Sequence, residues 1–248
     1  MRKYEFTGES KKWRNRTLLH IVALRDFGDV KAGEVGGWIE NESNLSHEGD
    51  CWVYDNGIVA DNGVVSDNGV VCDNGIVCGN GAVADNGVVA DNGVVCGNGI
   101  VCGNGIVTGK GIVTDNGVVY DHGIVTDNGV VCDNGRVYDN GRVYDNGVVR
   151  GNGAVCGNGV VKTGIIIGKV SRPYKDIFQH QCQNRVLTAI LTEDNEILYT
   201  IGCQFNITKE EFIERIYNEG GGLENKPHRQ EYLAIIKCVE MYFNENIK

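Results

Sequence analysis

The chain has 248 residues, 36 of them glycine and only two proline, and a formal net charge of −10. With no G-X-Y triplet, this composition excludes collagen and proline-rich disorder. The acidic balance argues against a bare nucleic-acid-binding surface, which carries an excess of Lys and Arg.

Residues 1–50 begin with Tyr4, Phe6 and Trp13 in an amphipathic start, then run through Leu18-Leu19-His20-Ile21-Val22-Ala23-Leu24 into a glycine-rich turn region. They contain no apolar core of the about 7–15 residues that a secretory signal needs. A cytoplasmic location is therefore expected, and no stretch of the chain looks like a membrane segment. An N-terminal β cap is the expectation for this segment, because the open end of a solenoid needs covering.

Residues 51–168 form the repeat. A valine recurs every six residues from Val53 to Val161, nineteen times, and Ile167 continues the row. After each valine comes a variable place, then Asp or Gly, then nearly always Asn, then Gly, then usually Val or Ile. Asn-Gly is also a hairpin signal, but a meander of about twenty very short strands would exceed the ten or so that an open sheet sustains. A coil of three six-residue sides avoids this, with each strand pairing with the one eighteen residues later and the recurrent valine pointing inward. Asn at the fourth place suits a left-handed corner, and the adjacent Gly removes a Cβ that the corner could not accept. About six coils, rising about 4.8 Å each, would make a rod roughly 30 Å long. Valine and isoleucine at the sixth place should face outward, which favours self-association or cover by a partner. Six of the ten cysteines (Cys72, Cys78, Cys96, Cys102, Cys132, Cys156) occupy the variable second place and read as small tolerated side chains. No CxxC pair supports zinc, and no metal site is expected.

Residues 169–248 change composition abruptly. Arg185–Leu191 and Ile197–Cys203 read as strands around the turn Glu193-Asp194-Asn195. Thr208 with Glu211 forms a capping box for a helix to about Asn218, and a second helix over Arg229–Asn246 places Leu233, Ile236, Val239 and Phe243 on one face. The expected unit is a small ββαα cap or interaction module.

The repeat resembles the hexapeptide-repeat family, which implies a mainly β fold built on a left-handed parallel β-helix of triangular section. The segment from Leu24 to Glu40, with Asn44-Leu45-Ser46 and Gly49-Asp50-Cys51-Trp52-Val53-Tyr54, looks like the entry segment of YdcK-like proteins of bacterial and phage genomes. The family's fifth place is usually Ala, Ser or Thr, whereas here it is almost uniformly Gly. Members that are acyltransferases bind coenzyme A between subunits and use a histidine as general base. Here only His122 lies in the repeat, in place of a corner Asn, with no extruded loop. His20, His47, His180 and His228 read as structural.

Twelve corner aspartates against Lys110, Arg136, Arg142, Arg150 and Lys162 leave the repeat at net −7. Calcium binding lacks the nonapeptide pattern. Mimicry of nucleic acid is weakly served by one charge per about 4 Å, against about 1.7 Å in duplex DNA. Good turn chemistry is the plainer account of Asp-Asn-Gly. Tyr120, Arg136, Tyr138, Arg142, Tyr144 and Arg150 break the monotony within about two coils, and these residue types anchor interfaces. The expected function is a non-enzymatic protein-binding scaffold without a cofactor. On the phage context of the resemblance it would inhibit a host protein, as an anti-defence or anti-CRISPR factor. A hexapeptide-class acyltransferase and a structural homo-oligomer are the alternatives, and no direct contact with nucleic acid or membrane is expected.

Overall fold

The computed structural model describes residues 2–170, 174, 176–182, 185–192, 194–201, 204–217 and 229–246. It divides into two compact units, Met1–Ile166 and Ile167–Lys248.

The first unit is a parallel β-helix of about seven turns. Most hexads supply a two-residue strand, and strands pair in register eighteen residues on, as Val88 with Ile106, Val94 with Ile112 and Ile100 with Val118. All nineteen valines of the row are fully buried. The coil count exceeds the expected six because the helix starts before the valine row does. Strand β3 (Val35–Ile39) pairs with Ile58–Val59, and Leu45 bridges to Val65, each twenty residues on. Ile39 and Leu45 thus take the first inward places, and a two-residue insertion before Val53 hides them from a six-residue period. The row also ends differently: Ile166, not Ile167, pairs opposite Val149 and is fully buried, so the last side is one residue short.

The inserted loop closes around Lys3, whose side chain is fully buried. Its Nζ donates to the Cys51 carbonyl at 2.8 Å and lies 3.1 Å from Cys51 Sγ. Ahead of the coils, β1 (Tyr4–Trp13) and β2 (Arg16–Ala23) form an antiparallel hairpin, and β2 pairs with β3. Leu18 of this hairpin joins Ile58 and Ala60 in a buried cluster, with Trp13, Trp38 and Ile76 packed against it. The hairpin therefore covers the outer surface of the first coils on one side and extends the sheet beyond β3.

The three sides are here named the hairpin face (Ile58–Val59 and its ladder), the tyrosine face (Val64–Val65 and its ladder) and the third face (Trp52–Val53 and its ladder). At the corners the left-handed residue is the Asp, not the Asn. All twelve repeat aspartates have φ between 50° and 58°, and six glycines replace Asp at the same place with φ between 54° and 64°. Asp tolerates this region because its short polar side chain hydrogen-bonds locally. Asn instead stacks: Asn62, Asn80, Asn98, Asn116 and Asn134 form an amide ladder with N–O distances of 2.9–3.3 Å. The fifth-place glycine serves close approach rather than φ. A Cβ on Gly105 would lie 2.8 Å from the Val119 carbonyl oxygen and 3.0 Å from that of Cys102. Sixth-place side chains face outward, with Val64 and Ile100 each 38% exposed.

In the second unit a four-stranded antiparallel meander replaces the expected strand pair: Asp176–Cys182, Arg185–Leu191, Ile197–Ile201 and Gln204–Ile207. Its helices are α1 (Lys209–Tyr217) and α2 (Arg229–Asn246). Glu193, Cys203 and Asn218 lie outside the described residues. The Thr208–Glu211 capping box forms at 2.8 and 3.2 Å. Leu187, Tyr199 and Ile201 from the sheet meet Phe212, Ile236, Val239 and Phe243 from the helices in one core.

Backbone oxygens on two sides of Gly105 cannot swing away as side chains do. Gly105→Ala is predicted to destabilise the protein by about 1–3 kcal/mol. Ile106→Val, on the outward side of the next residue, should stay within about 0.5 kcal/mol. Urea unfolding followed by circular dichroism distinguishes the two.

Candidate functional site

The second and sixth places of the hexads point outward and, beyond the turns that the hairpin covers, mostly lie at least partly exposed, so residues there report surface chemistry. Val118 pairs with Arg136, so Arg136 and the residues two after each, Tyr120 and Tyr138, share the tyrosine face. The two tyrosine rings stack with centroids 5.0 Å apart and planes 11° apart. Burial is the first cause raising both phenols. Tyr138, with Cys156 as the next cause, is pushed up to about 12, and Tyr120, with Tyr138 as the next, moves the same way. Both therefore present neutral O–H groups near neutral pH.

Arg142 pairs with Ile124 and Val160, which places it on the third face, just past the corner that follows Tyr138. Tyr144 shares that face two residues on, and Lys162 Nζ sits 5.7 Å over its ring. Arg150 follows the Val148–Val149 strand segment, which pairs with Val130–Val131 on the hairpin face. The coil thus gathers Tyr120, Arg136 and Tyr138 on one side, with Arg142 across one corner. It sets Tyr144 at the far end of the third face and Arg150 on another side altogether.

His122 crowns the same corner. It is exposed and extends the second Asn ladder, its Nε2 lying 3.5 Å from Asn104 Nδ2. That ladder runs Asn68, Asn86, Asn104, so the histidine stands where an amide would. The amide is its hydrogen-bond partner among the described residues, and a general base needs a different orienting group. Of the other histidines, His20 stacks on Trp38 at 4.1 Å and sits 3.1 Å from Glu9. His47 accepts from the Lys3 backbone N–H at 3.2 Å and stacks on Tyr4, and burial pulls its pKa down. His180 is exposed on the first strand of the second unit, and His228 lies outside the described residues.

No protein-family model matches the chain. Over 68 residues it is 41% identical to a curated protein described as "Uncharacterized acetyltransferase YdcK", from Escherichia coli strain K12. That similarity takes in 24% of this chain and spans about a fifth (21%) of the relative's length. Together with the coil it supports a hexapeptide-repeat scaffold and leaves the finer function open to proposal.

The corner aspartates have a structural use. Wherever Gly follows Asp one coil later, the carboxylate accepts the glycine N–H, as in Asp61 with Gly79, Asp85 with Gly103, Asp91 with Gly109, Asp133 with Gly151 and Asp139 with Gly157, at 3.1–3.2 Å. Asp115, Cys132 and Asp133 bring three ionisable side-chain atoms within 4.8 Å of one another. Burial first, then the two aspartates, push the Cys132 thiol up, which disfavours a thiolate ligand. No described helix is long and apolar enough to cross a membrane.

A basic surface is hidden by the acidic balance of the whole chain. The hairpin tip Lys11-Lys12-Trp13-Arg14-Asn15-Arg16 concentrates four cations, and Arg16 pairs with both Glu40 and Asp61. Its sequence signal, a basic run interleaved with tryptophan, is plain once the whole-chain charge is set aside.

Asp91 accepts from the Thr108 hydroxyl and from Gly109 N–H, and these bonds, in that order, hold its carboxyl below the usual 3.8. A depressed folded pKa contributes stability above the unfolded value that disappears as pH falls through the folded one. Thr108→Val is predicted to move the Asp91 carboxyl titration upward toward 3.8. Carboxyl-carbon NMR across the acid range reads this directly, and an unmoved titration would remove the hydroxyl as the leading cause.

Proposed function

We propose that this chain is a hexapeptide-repeat scaffold that binds a protein partner along the corner carrying His122. The observation that carries this reading is the stacked Tyr120–Tyr138 pair beside Arg136, with Arg142 across the corner, in a repeat whose outward places are otherwise mostly small or aliphatic. Rigid stacked tyrosines offer contact area with little rotamer entropy to lose, and arginines supply forked donors at the rim. The finer form of the reading, in which a cytoplasmic chain occludes a host protein as an anti-defence or anti-CRISPR inhibitor, draws on the phage context of the resemblance. Outward valines and isoleucines support self-association as an accompanying property.

The test is affinity capture of the tagged protein from a bacterial host with mass spectrometry after a high-salt wash. A stoichiometric partner should be retained by the unmodified chain and lost by Tyr138→Ala or Arg142→Ala, each costing about 2 kcal/mol or more if it is an anchor. Retention by both variants would move the contact elsewhere.

The acyltransferase reading keeps a place because of the relative's description. It requires coenzyme A binding, and an acetyl-transfer rate that falls at least a hundredfold in His122→Ala, the scale of a lost general base, about 10²–10⁴. Calorimetry that finds no heat with coenzyme A would end it.

A further inference from the structure

The hairpin β1–β2 turns through Arg14 and Asn15, with Trp13 opposite Arg16. Its tip holds Lys11, Lys12, Arg14 and Arg16 with no acidic residue, in a chain of net charge −10. Arg14 adopts φ 50°, a conformation that Gly, Asn and Asp favour, yet an arginine occupies it. The cations are held in place. The Arg14 guanidinium lies 4.5 Å over the Trp13 ring and Lys11 Nζ 4.4 Å over Trp38. Lys12 Nζ donates to Thr17 Oγ1 at 2.7 Å. Lys12, Arg14 and Asn15 are exposed. Arg16 is engaged internally with Glu40 at 2.8 Å and with Asp61.

Asp61 belongs to the corner between the hairpin and tyrosine faces. Both Arg14 and Arg16 act electrostatically on Cys78, the residue just before the next position of that corner. There the repeat departs from its habit: Gly79 and then Gly97 stand where the corners mostly carry Asp, and the next carboxylate is Asp115. Neither of the other corners leaves two successive positions without a carboxylate. Asp61 shares Arg16 with Glu40, one of its carboxylate oxygens meeting the guanidinium and the other accepting Gly79 N–H at 3.1 Å. Along this stretch run the exposed amides of Asn62, Asn80 and Asn98. From Asp61 to Asp115 is three coil rises, about 14 Å. Next to a positive tip, then, lies a strip with no opposing charge and a row of hydrogen-bonding amides.

We propose that the hairpin tip and this carboxylate-free strip form a docking surface for single-stranded nucleic acid, with Lys11, Lys12 and Arg14 contacting phosphates. The exposed Arg14 guanidinium, 4.5 Å over the half-buried Trp13 ring, offers forked donors to a phosphate, and both side chains have planar surfaces on which a base can stack. The Asn amides offer donors and acceptors to base edges. An acidic peptide would use the cations and leave the stacking face and the amides idle. The whole-chain charge, which argues against nucleic acid, averages over this local reversal of sign.

The test is fluorescence anisotropy of a short labelled oligothymidylate with the full chain. Three phosphate contacts on a single strand give a log–log salt slope of about −2, so binding should weaken roughly sixteenfold between about 50 and 200 mM salt. The double variant Lys12→Glu, Arg14→Glu should lose at least tenfold of affinity. Gly79→Asp restores a carboxylate at a position whose φ of 64° is close to that of the repeat aspartates, and should weaken binding severalfold without touching the tip. It keeps the question answerable if the double variant fails to fold, which thermal melts will show. Absence of binding at low salt, a flat salt dependence, or affinity unchanged in Gly79→Asp overturns the proposal. Displacement of the oligonucleotide by an equal charge concentration of polyglutamate also overturns it, in favour of an acidic protein partner. The ridge around His122 takes no part in this surface, so the two readings stand or fall separately.

Discussion

Everything in the coil depends on how closely successive turns approach at the fifth place of the hexad. There the glycine Cα faces the carbonyl oxygen of a residue fourteen places later, so close that a methyl group would sit 2.5–3.0 Å from it in most coils. Glycine allows the approach at an entropic cost of about 0.5–1 kcal/mol each. In-register pairing between turns and complete burial of the valine row offset that cost. The offset exists only when turns stack, which is why a single hexad specifies nothing and about seven turns hold together.

The same stacking creates an electrostatic difficulty at the corners. Aspartates eighteen residues apart stand about one coil rise, 4.8 Å, from each other, and like charges at that spacing repel by about 1 kcal/mol even in water. The corner columns are broken by glycine, and each Asp-over-Gly step turns the carboxylate into an acceptor for a backbone N–H. Asp and Gly are thus two solutions to the same left-handed backbone demand. Their alternation regulates charge along the rod without altering its path.

What the sequence revealed follows from periodicity, and what it hid lies where periodicity fails. The inward valines, the parallel register and the capping box at Thr208 were legible because each is a local rule repeated or a motif of fixed spacing. The first turn was hidden because Ile39 and Leu45 precede a two-residue insertion, and the last inward residue because Ile166 comes one place early. The strand Asp176–Cys182 escaped because its residues do not alternate between apolar and polar. Asn was given the left-handed role from its general preference, whereas its amide ladders, a property of the stack, leave that role to Asp. Of the tyrosine and arginine belt, composition gave the residues and the eighteen-residue period gave the Tyr120–Tyr138 stack. The same period sets Tyr144 on another side, and the three-sided section adds that Arg150 stands on the remaining one.

A coil whose inward places are fixed leaves its outward places free, and charge is distributed unevenly on them. Residues 53–122 of the repeat carry eight aspartates against Lys110, while residues 123–162 balance four aspartates with Arg136, Arg142, Arg150 and Lys162. The acidic turns begin beside the basic hairpin tip, and the stacked tyrosines stand where the acidic turns give way to the neutral ones. The coil itself asks only for outward side chains that do not disturb the stack, which Ala, Thr and Val satisfy. Arg14 in a left-handed turn, two successive glycines at one corner, and arginines beside stacked tyrosines all exceed that demand. In a repeat this uniform, departures from the pattern are where recognition has room to reside, and they fall in two places separated along the rod.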